Sequence, residues 1–179
     1  MGLGPIGAGV ARQLVALGPH GDEAREGRVR DQVDVSVTDN AHHAQSIRIA
    51  QAAFEAAVKY SKERQQFKKP IASFQTIQNY IADMATEIDA ARLLLYRACE
   101  FKDAGRPFSA EAAMAKLFAS EVAMRATRVA IQIHGGYGYM EEYRICRIYR
   151  DVRALSIFAG TSEIMKLIIS RNLGLRSES

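Results

Sequence analysis

The chain has 179 residues and a mass of 19.8 kDa, enough for one globular domain with a core and too little for most two-domain enzymes. Hydrophobic residues make up 48% of it and charged residues 25%, which excludes disordered, collagen-like and low-complexity proteins. The net charge of +4 is spread along the chain, so it favours an anionic ligand but does not indicate nucleic-acid binding.

The cysteine pattern and the hydropathy of the chain bear on its location. Cys99 and Cys146 have neither CxxC spacing nor paired histidines, so we predict no disulfide framework and no metal site. No apolar run approaches the length of a membrane span, and Met1 is followed by glycines rather than by a signal segment. We therefore expect a cytoplasmic protein without a membrane span.

Residues 1–39 differ from the rest because they hold most of the chain's glycine. Their segment GLGPIG, residues 2–7, matches the GxGxxG pattern of dinucleotide-binding turns, which keeps an NAD-linked oxidoreductase fragment as an alternative. Such a turn requires a buried strand before it, but only Met1 precedes the motif. We interpret residues 1–39 as a leader whose Rossmann-like motif does not function, and residues 40–179 as the domain.

Glycine and proline divide the rest of the chain into helical segments, because both residues interrupt helices. The segments are long and amphipathic, and the connections between them are short, so they predict an all-α, antiparallel bundle. The predicted helices cover roughly residues 41–66, 73–103 with Ser73 as N-cap, 109 to the glycines that start at Gly135, 143–153 and 161–174.

Two further patterns refine this prediction. In the second predicted helix, apolar residues recur at steps of three and four from Phe74 to Ala98, a heptad stripe that favours packing against other helices. Strand signals are nearly confined to Val33, Val35 and Val37.

Three local features combine a binding chemistry with a simpler structural explanation. Arg64, with Phe67 nearby, can hold a phosphate or merely offset the helix dipole. The glycines after His134 can expose amide groups to an anion or merely end a helix. Residues 158–163 place Thr161 as an N-cap after a glycine, which can hold an anionic ligand or simply start a helix.

The order of four segments resembles the C-terminal helical domain of the acyl-CoA dehydrogenase family. The segments are YSKERQQFKKPIASFQ (60–75), IQIHGGYGY (131–139), YRDVR (149–153) and AGTSEI (159–164). The resemblance covers roughly residue 40 to the end and implies an antiparallel four-helix bundle. It also implies FAD as cofactor and oxidation of acyl-CoA thioesters between the α and β carbons, with electrons passed to an electron-transferring flavoprotein.

The resemblance assigns a first group of residues to the cofactor. Arg64 matches the arginine that meets the flavin pyrophosphate across a subunit interface, and Phe67 belongs to the same RxxF motif. Gln75 matches a glutamine near the adenine end. The loop along the adenosine and pyrophosphate corresponds here to Gln132, Ile133, His134, Gly135 and Gly136. A homo-oligomer, either dimer or tetramer, is therefore expected.

A second group lies near the end of the chain. The resemblance implies that Thr161, Ser162 and Glu163 form the helix start that caps the FAD. It further implies that Phe158, Ala159 and Gly160 form the strip against the acyl thioester of the substrate.

The sequence departs from the family pattern at the catalytic base. Ala159 stands where many members have the glutamate that removes the α proton, and the alternative position falls near Thr38, beside Asp39. The base is therefore not identified, with Asp39 as the remaining candidate. Lys68 stands where the family usually has glycine, and Arg144 where it has proline.

The length of the chain leaves several functional interpretations open. Family enzymes carry an N-terminal helical domain and a middle β domain before this bundle, so we expect the isolated chain to be inactive and to need a chain that supplies them. The first interpretation is an FAD-dependent acyl-CoA dehydrogenase. The alternatives are a non-catalytic, oligomerising bundle that binds flavin or CoA and, more weakly, the NAD-linked fragment.

Overall fold

The computed structural model describes residues 37–175. Within this range the chain is almost entirely helical, with one small hairpin and three short 3₁₀ turns. The elements are α1 (Val37–Glu63), β1 (Gln65–Gln66), β2 (Lys69–Pro70), α2 (Gln75–Asp103), α3 (Ser109–His134), α4 (Arg144–Val152) and α5 (Ser162–Asn172). The predicted all-α fold class is confirmed.

Ion pairs between α2 and α3 show the relative direction of these two helices. Arg97, late in α2, pairs with Glu111 at the start of α3, and Glu87, earlier in α2, pairs with Arg125 further along α3. The two helices are therefore antiparallel. The short hairpin between α1 and α2 likewise reverses the chain, so α1 and α3 run in the same direction.

The interface between α1 and α3 is built mainly from alanine. Ala50, Ala53 and Ala57 of α1 are fully buried. The facing helix α3 buries a row of small side chains, which lets the two backbones approach closely. The row comprises Ala115, Ala119, Ala123, Ala126 and Ala130.

The two short helices both pack against α3. At its first turns, Ala112 and Ala113 form a small apolar cluster with Met165 and Ile168 of α5. Helix α4 contributes the buried Ile145 to the main core. Helix α3 is therefore the central element, because every other helix contacts it.

The structure corrects several predicted boundaries. Helix α1 ends at Glu63, and the predicted continuation to residue 66 is a two-stranded hairpin instead. Ser73 is not the N-cap of α2, because its hydroxyl donates to the Pro70 carbonyl 2.7 Å away, and Phe74 occupies the cap position. Val37 begins α1 rather than a strand.

The predicted leader lies mostly outside the described residues, as do its GLGPIG motif, Val33 and Val35. Its last three residues belong to α1. Among the described helices, none has both the length and the apolar composition needed to cross a bilayer.

Candidate functional site

A cleft of about 550 Å³ opens where the last turns of α1 and α3 meet. The hairpin after α1 and the glycine-rich 3₁₀ turn after α3 complete its walls. Its lining includes aromatic rings, one guanidinium group, the backbone of two glycines, and a few apolar or amide side chains. The lining residues are Tyr60, Arg64, Gln66, Ile71, Ile133, His134, Gly135, Gly136, Tyr137 and Met140.

His134 forms the floor of this cleft as a neutral ring. Its ring stacks on Tyr60 at a centroid distance of 4.2 Å, and its Nδ1 lies 2.7 Å from the carbonyl oxygen of Ala130. A carbonyl only accepts hydrogen bonds, so Nδ1 carries the proton and donates, which leaves Nε2 as an acceptor. Burial lowers the pKa of His134, although the bond to Ala130 opposes that shift.

Arg64 holds the cationic side of the cleft. Its amide donates to the Tyr60 carbonyl at 2.8 Å, and its carbonyl accepts from the Ile71 amide at 2.9 Å, so the backbone is fixed on both sides. The guanidinium carbon lies 5.3 Å from the centroid of the Tyr137 ring. Among the side chains described, those of residues 43–175, no carboxylate pairs with Arg64, so its donors can serve an anionic ligand.

The tip of the hairpin presents an exposed aromatic ring. Phe67 and Lys68 are its two central residues, and both have positive φ, at 52° and 63°. Two-residue hairpins favour this left-handed conformation, although side chains other than glycine adopt it at a cost. The Phe67 side chain is 86% exposed. The turn thus holds a large apolar ring outward, beside the cleft.

The three glycines after His134 differ in what the fold requires of them. Gly135 has φ 59° and ψ −140°, a conformation open only to glycine. A Cβ on Gly138 would lie 2.8 Å from the Ile131 carbonyl oxygen. A Cβ on Gly136 would meet no described atom within 4 Å. The fold therefore explains the first and third glycines, and leaves the backbone of Gly136 accessible from the cleft.

A second polar cluster surrounds the N-terminus of α5. Thr161 is the N-cap as predicted, because its Oγ1 accepts from the Ile164 amide at 3.4 Å. The Glu163 carboxylate accepts hydrogen bonds from its own amide and from the Thr161 hydroxyl, which lowers its pKa. Ser162 buries its hydroxyl, and no described residue within hydrogen-bonding distance pairs with it. An orphaned hydroxyl at a helix start fits a ligand with hydrogen-bonding groups.

The segment before this helix adopts an uncommon backbone. Ala159 and Gly160 have φ of 52° and 87°. Lys116 of α3 is 4% exposed, and its ammonium donates to the Gly160 carbonyl. The turn is therefore held to α3 by a buried charge. Residue 159 is alanine, so this turn carries no carboxylate at that position.

The predicted site residues fall into two places. The cleft brings together Arg64, Ile133, His134, Gly135 and Gly136, whereas Phe67, Gln75 and Gln132 are exposed and do not line it. Residues 158–163 lie at the other end of α3, beside Lys116. At 1.5 Å per residue the two places are on the order of 25 Å apart along α3. The side chain of Asp39 lies outside the described part of the chain.

Three residues at these places were not among the predicted site residues. Tyr60 lies one helical turn before Arg64, and Tyr137 sits inside the glycine cluster, so both had a local signal. Lys116 lies among buried residues of α3 that are mainly alanine, a pattern that indicates a buried charge with a specific partner.

The chain belongs to the acyl-CoA dehydrogenase family. Residues 40–174 match the family model for the acyl-CoA dehydrogenase C-terminal domain. The probable acyl-CoA dehydrogenase YngJ of Bacillus subtilis is 56% identical over 128 residues, which are 72% of this chain and 34% of that protein. The 3-(aryl)acrylate reductase of Clostridium sporogenes is 52% identical over 130 residues, 73% of this chain and 34% of that protein.

A solved structure agrees with this assignment. Butyryl-CoA dehydrogenase from Megasphaera elsdenii is 46% identical, with a TM-score of 0.75 over 76% of this chain and 36% of that one. The chain thus spans about a third of the length of these relatives. The family resemblance inferred from the sequence is confirmed, and the class of cofactor that the family implies is a flavin.

Proposed function

We propose that this chain is the flavin-binding helical part of an enzyme that oxidises an acyl-CoA thioester between its α and β carbons, with FAD as cofactor. The observation that carries the proposal is the cleft between α1 and α3. It combines an unpaired guanidinium, stacked aromatic rings and an open glycine backbone, the groups that a dinucleotide needs for its phosphates and its ring.

Residues in the cleft and on the surface around it each bind a different part of the cofactor. Arg64 binds the pyrophosphate as a two-pronged donor, and the backbone at Gly135 and Gly136 lies along it. Phe67, at the tip of the hairpin, contacts the flavin end, while Gln75 and Gln132 serve the adenosine end. Bound FAD supplies the acceptor for the hydride that leaves the substrate's β carbon.

The separation of the two clusters supports a homo-oligomer. The cleft and the start of α5 lie on the order of 25 Å apart on one chain, so each chain offers two half-sites instead of one complete site. In a dimer or tetramer, the cleft of one chain would join the Thr161, Ser162 and Glu163 cluster of another around one FAD. N-terminal and middle domains of the family type would complete the acyl pocket around residues 158–160.

The missing carboxylate at Ala159 bears on catalysis. Removal of the α proton needs a base, and general-base catalysis is worth about 10² to 10⁴ in rate. We therefore expect no acyl-CoA oxidation by this chain alone, and Asp39 stays the candidate base. A non-catalytic bundle that binds flavin or CoA is the second candidate function, favoured by the absence of a carboxylate at this position.

The family resemblance extends to the wider setting of the reaction. It implies acyl-CoA as substrate and an electron-transferring flavoprotein as electron acceptor. A cytoplasmic location remains a prediction from the cysteine pattern. The NAD-linked alternative rests on the GLGPIG motif alone, which lies outside the described residues.

The proposal is tested by titration of FAD into the full chain and into an Arg64→Met variant. Loss of a charge-assisted hydrogen bond should weaken binding by about 10- to 100-fold. Arg128→Met is the matched control, because Arg128 is an exposed arginine of α3 outside the cleft, and its affinity should stay within about twofold of the parent. Equal affinity of Arg64→Met and the parent chain would refute the assignment of the cleft.

A further inference from the structure

Lys116 is a buried charge that the proposed function does not yet use. It lies on the face of α3 that packs against α5, one turn beyond Ala112 and Ala113. A lysine with 4% exposure loses most of its hydration, so its charge persists inside the protein only with strong hydrogen-bond acceptors. One acceptor is the carbonyl of Gly160, in the turn just before α5.

This hydrogen bond fixes the direction of a peptide group. Gly160 precedes the N-cap Thr161, so its carbonyl lies outside the hydrogen-bonding ladder of α5. Because a peptide unit is planar and trans, a carbonyl held toward Lys116 directs the Thr161 amide to the opposite side, away from α3. The carbonyl that Lys116 contacts belongs to the turn in which Ala159 and Gly160 have left-handed conformations.

The position of the charge is unfavourable for stability by itself. The N-terminus of a helix carries a partial positive charge, so a cation beside it is repelled. Glu163, in the first turn, offsets part of this potential, but its carboxylate is directed to its own amide and the Thr161 hydroxyl. The turn therefore brings together the Lys116 side chain, a helix N-terminus and an orphaned Ser162 hydroxyl, which together suit an anionic or strongly accepting ligand oxygen.

We propose that Lys116 is a positioning residue, which holds the Ala159–Gly160 turn against α3 and polarises its peptide groups toward a ligand oxygen at the start of α5. The inference rests on the proposed function for the identity of that ligand. Two sources supply such an oxygen, the FAD diphosphate and the thioester carbonyl of an acyl-CoA.

Amide hydrogen exchange of the full chain tests the positioning role without a ligand. In Lys116→Met, which removes the ammonium at similar side-chain length, residues 157–163 should exchange about tenfold faster or more, while α1 and α2 exchange as in the parent. Lys59→Met removes an exposed charge from α1 and should leave residues 157–163 unchanged. Uniformly faster exchange in every helix, or no change in residues 157–163, would overturn the proposal.

Ligand titrations identify the oxygen. FAD and crotonyl-CoA are titrated separately into the parent, Lys116→Met and Lys116→Arg. The ligand whose oxygen meets the turn should bind about tenfold more weakly to Lys116→Met. The same ligand should bind more tightly to Lys116→Arg than to Lys116→Met, even where the two variants have the same melting temperature. A loss that follows melting temperature alone would overturn the proposal.

Two further outcomes are distinguishable. If the parent binds neither FAD nor crotonyl-CoA, the proposed function fails, and the exchange experiment decides the role of Lys116 by itself. If Lys116→Met does not fold, Lys116→Gln replaces it, since glutamine keeps an N–H donor on a shorter side chain. Faster exchange confined to residues 157–163 in that variant supports the proposal, and uniformly faster exchange overturns it.

Discussion

The two polar clusters of this chain differ in the charged groups that they bring together. The cleft at the end of α3 has a neutral histidine on its floor and one cation, Arg64, at its wall, with aromatic rings between them. The start of α5 instead gathers a buried ammonium, a helix N-terminus and a carboxylate. The cleft therefore suits a ring joined to a phosphate, whereas the α5 cluster suits an isolated acceptor oxygen.

The clusters also differ in how they are held in place. The cleft depends on backbone that only glycine fits, at Gly135 and Gly138. The α5 cluster also contains a left-handed glycine, Gly160, but it is tied to α3 by a side chain from that helix, Lys116. Loss of the Lys116 ammonium should therefore affect the α5 cluster and leave the backbone of the cleft unchanged.

The largest effect is expected from Gly138→Ala. The added methyl group would lie 2.8 Å from the backbone oxygen of Ile131, and such overpacking costs about 1–3 kcal/mol. The matched control is Gly136→Ala, which meets no described atom within 4 Å and should change stability by less than about 0.5 kcal/mol. Urea denaturation measures both. Equal destabilisation by the two variants would contradict the conclusion that packing requires glycine at position 138 but not at position 136.

Acidification should affect the two clusters in different pH ranges. Burial keeps the pKa of His134 in the folded chain below its usual value of 6.5. As the pH drops, His134 therefore takes up a proton at a higher pH in the unfolded chain than in the folded chain. The free energy of unfolding accordingly falls below about pH 6.5. The pKa of Glu163 lies below 4.5, so its contribution is lost only below about 4.5.

Melting temperatures recorded from pH 7.5 to pH 3 test this order. His134→Gln should flatten the part of the curve just below about pH 6.5, whereas Glu163→Gln should flatten only the part below about pH 4.5. If His134→Gln leaves the upper part of the curve unchanged, the neutral, buried state of His134 is wrong.

A smaller and opposite effect is expected at the hairpin. Lys68→Gly should raise stability by about 1 kcal/mol, because a left-handed residue with a side chain costs about 1–2 kcal/mol. Lys69→Gly should lower it by about 0.5–1 kcal/mol, because Lys69 lies in β2 and its ammonium is 4.4 Å from the centre of the Phe74 ring. Thermal denaturation distinguishes them. A loss of stability in Lys68→Gly would contradict the turn geometry.

Much of the fold could be predicted from local sequence. Pro107 and the glycines at 135–138 mark the two ends of α3 correctly, and Thr161 is the N-cap of α5 as expected. The hairpin could not be predicted, because its central residues are Phe67 and Lys68 rather than the Asn-Gly type that signals such a turn. Ser73 misled because its hydroxyl has a nearer acceptor at Pro70.

The candidate site was predictable only in part. Arg64 and the glycine loop had local signals, and the fold brings them to one cleft. The stack of Tyr60 on His134 depends on the register of α1 against α3, which no local pattern specifies. The contact between Lys116 and Gly160 likewise requires the packing of α5 on α3.

The central claim is that one chain holds two separated half-sites, so that one chain by itself does not hold one FAD. Sedimentation velocity of the chain with FAD, followed at the visible absorbance of the flavin, tests it most directly. Bound flavin should sediment only with species heavier than a single chain of 19.8 kDa. Flavin that sediments with a species of single-chain mass would contradict it.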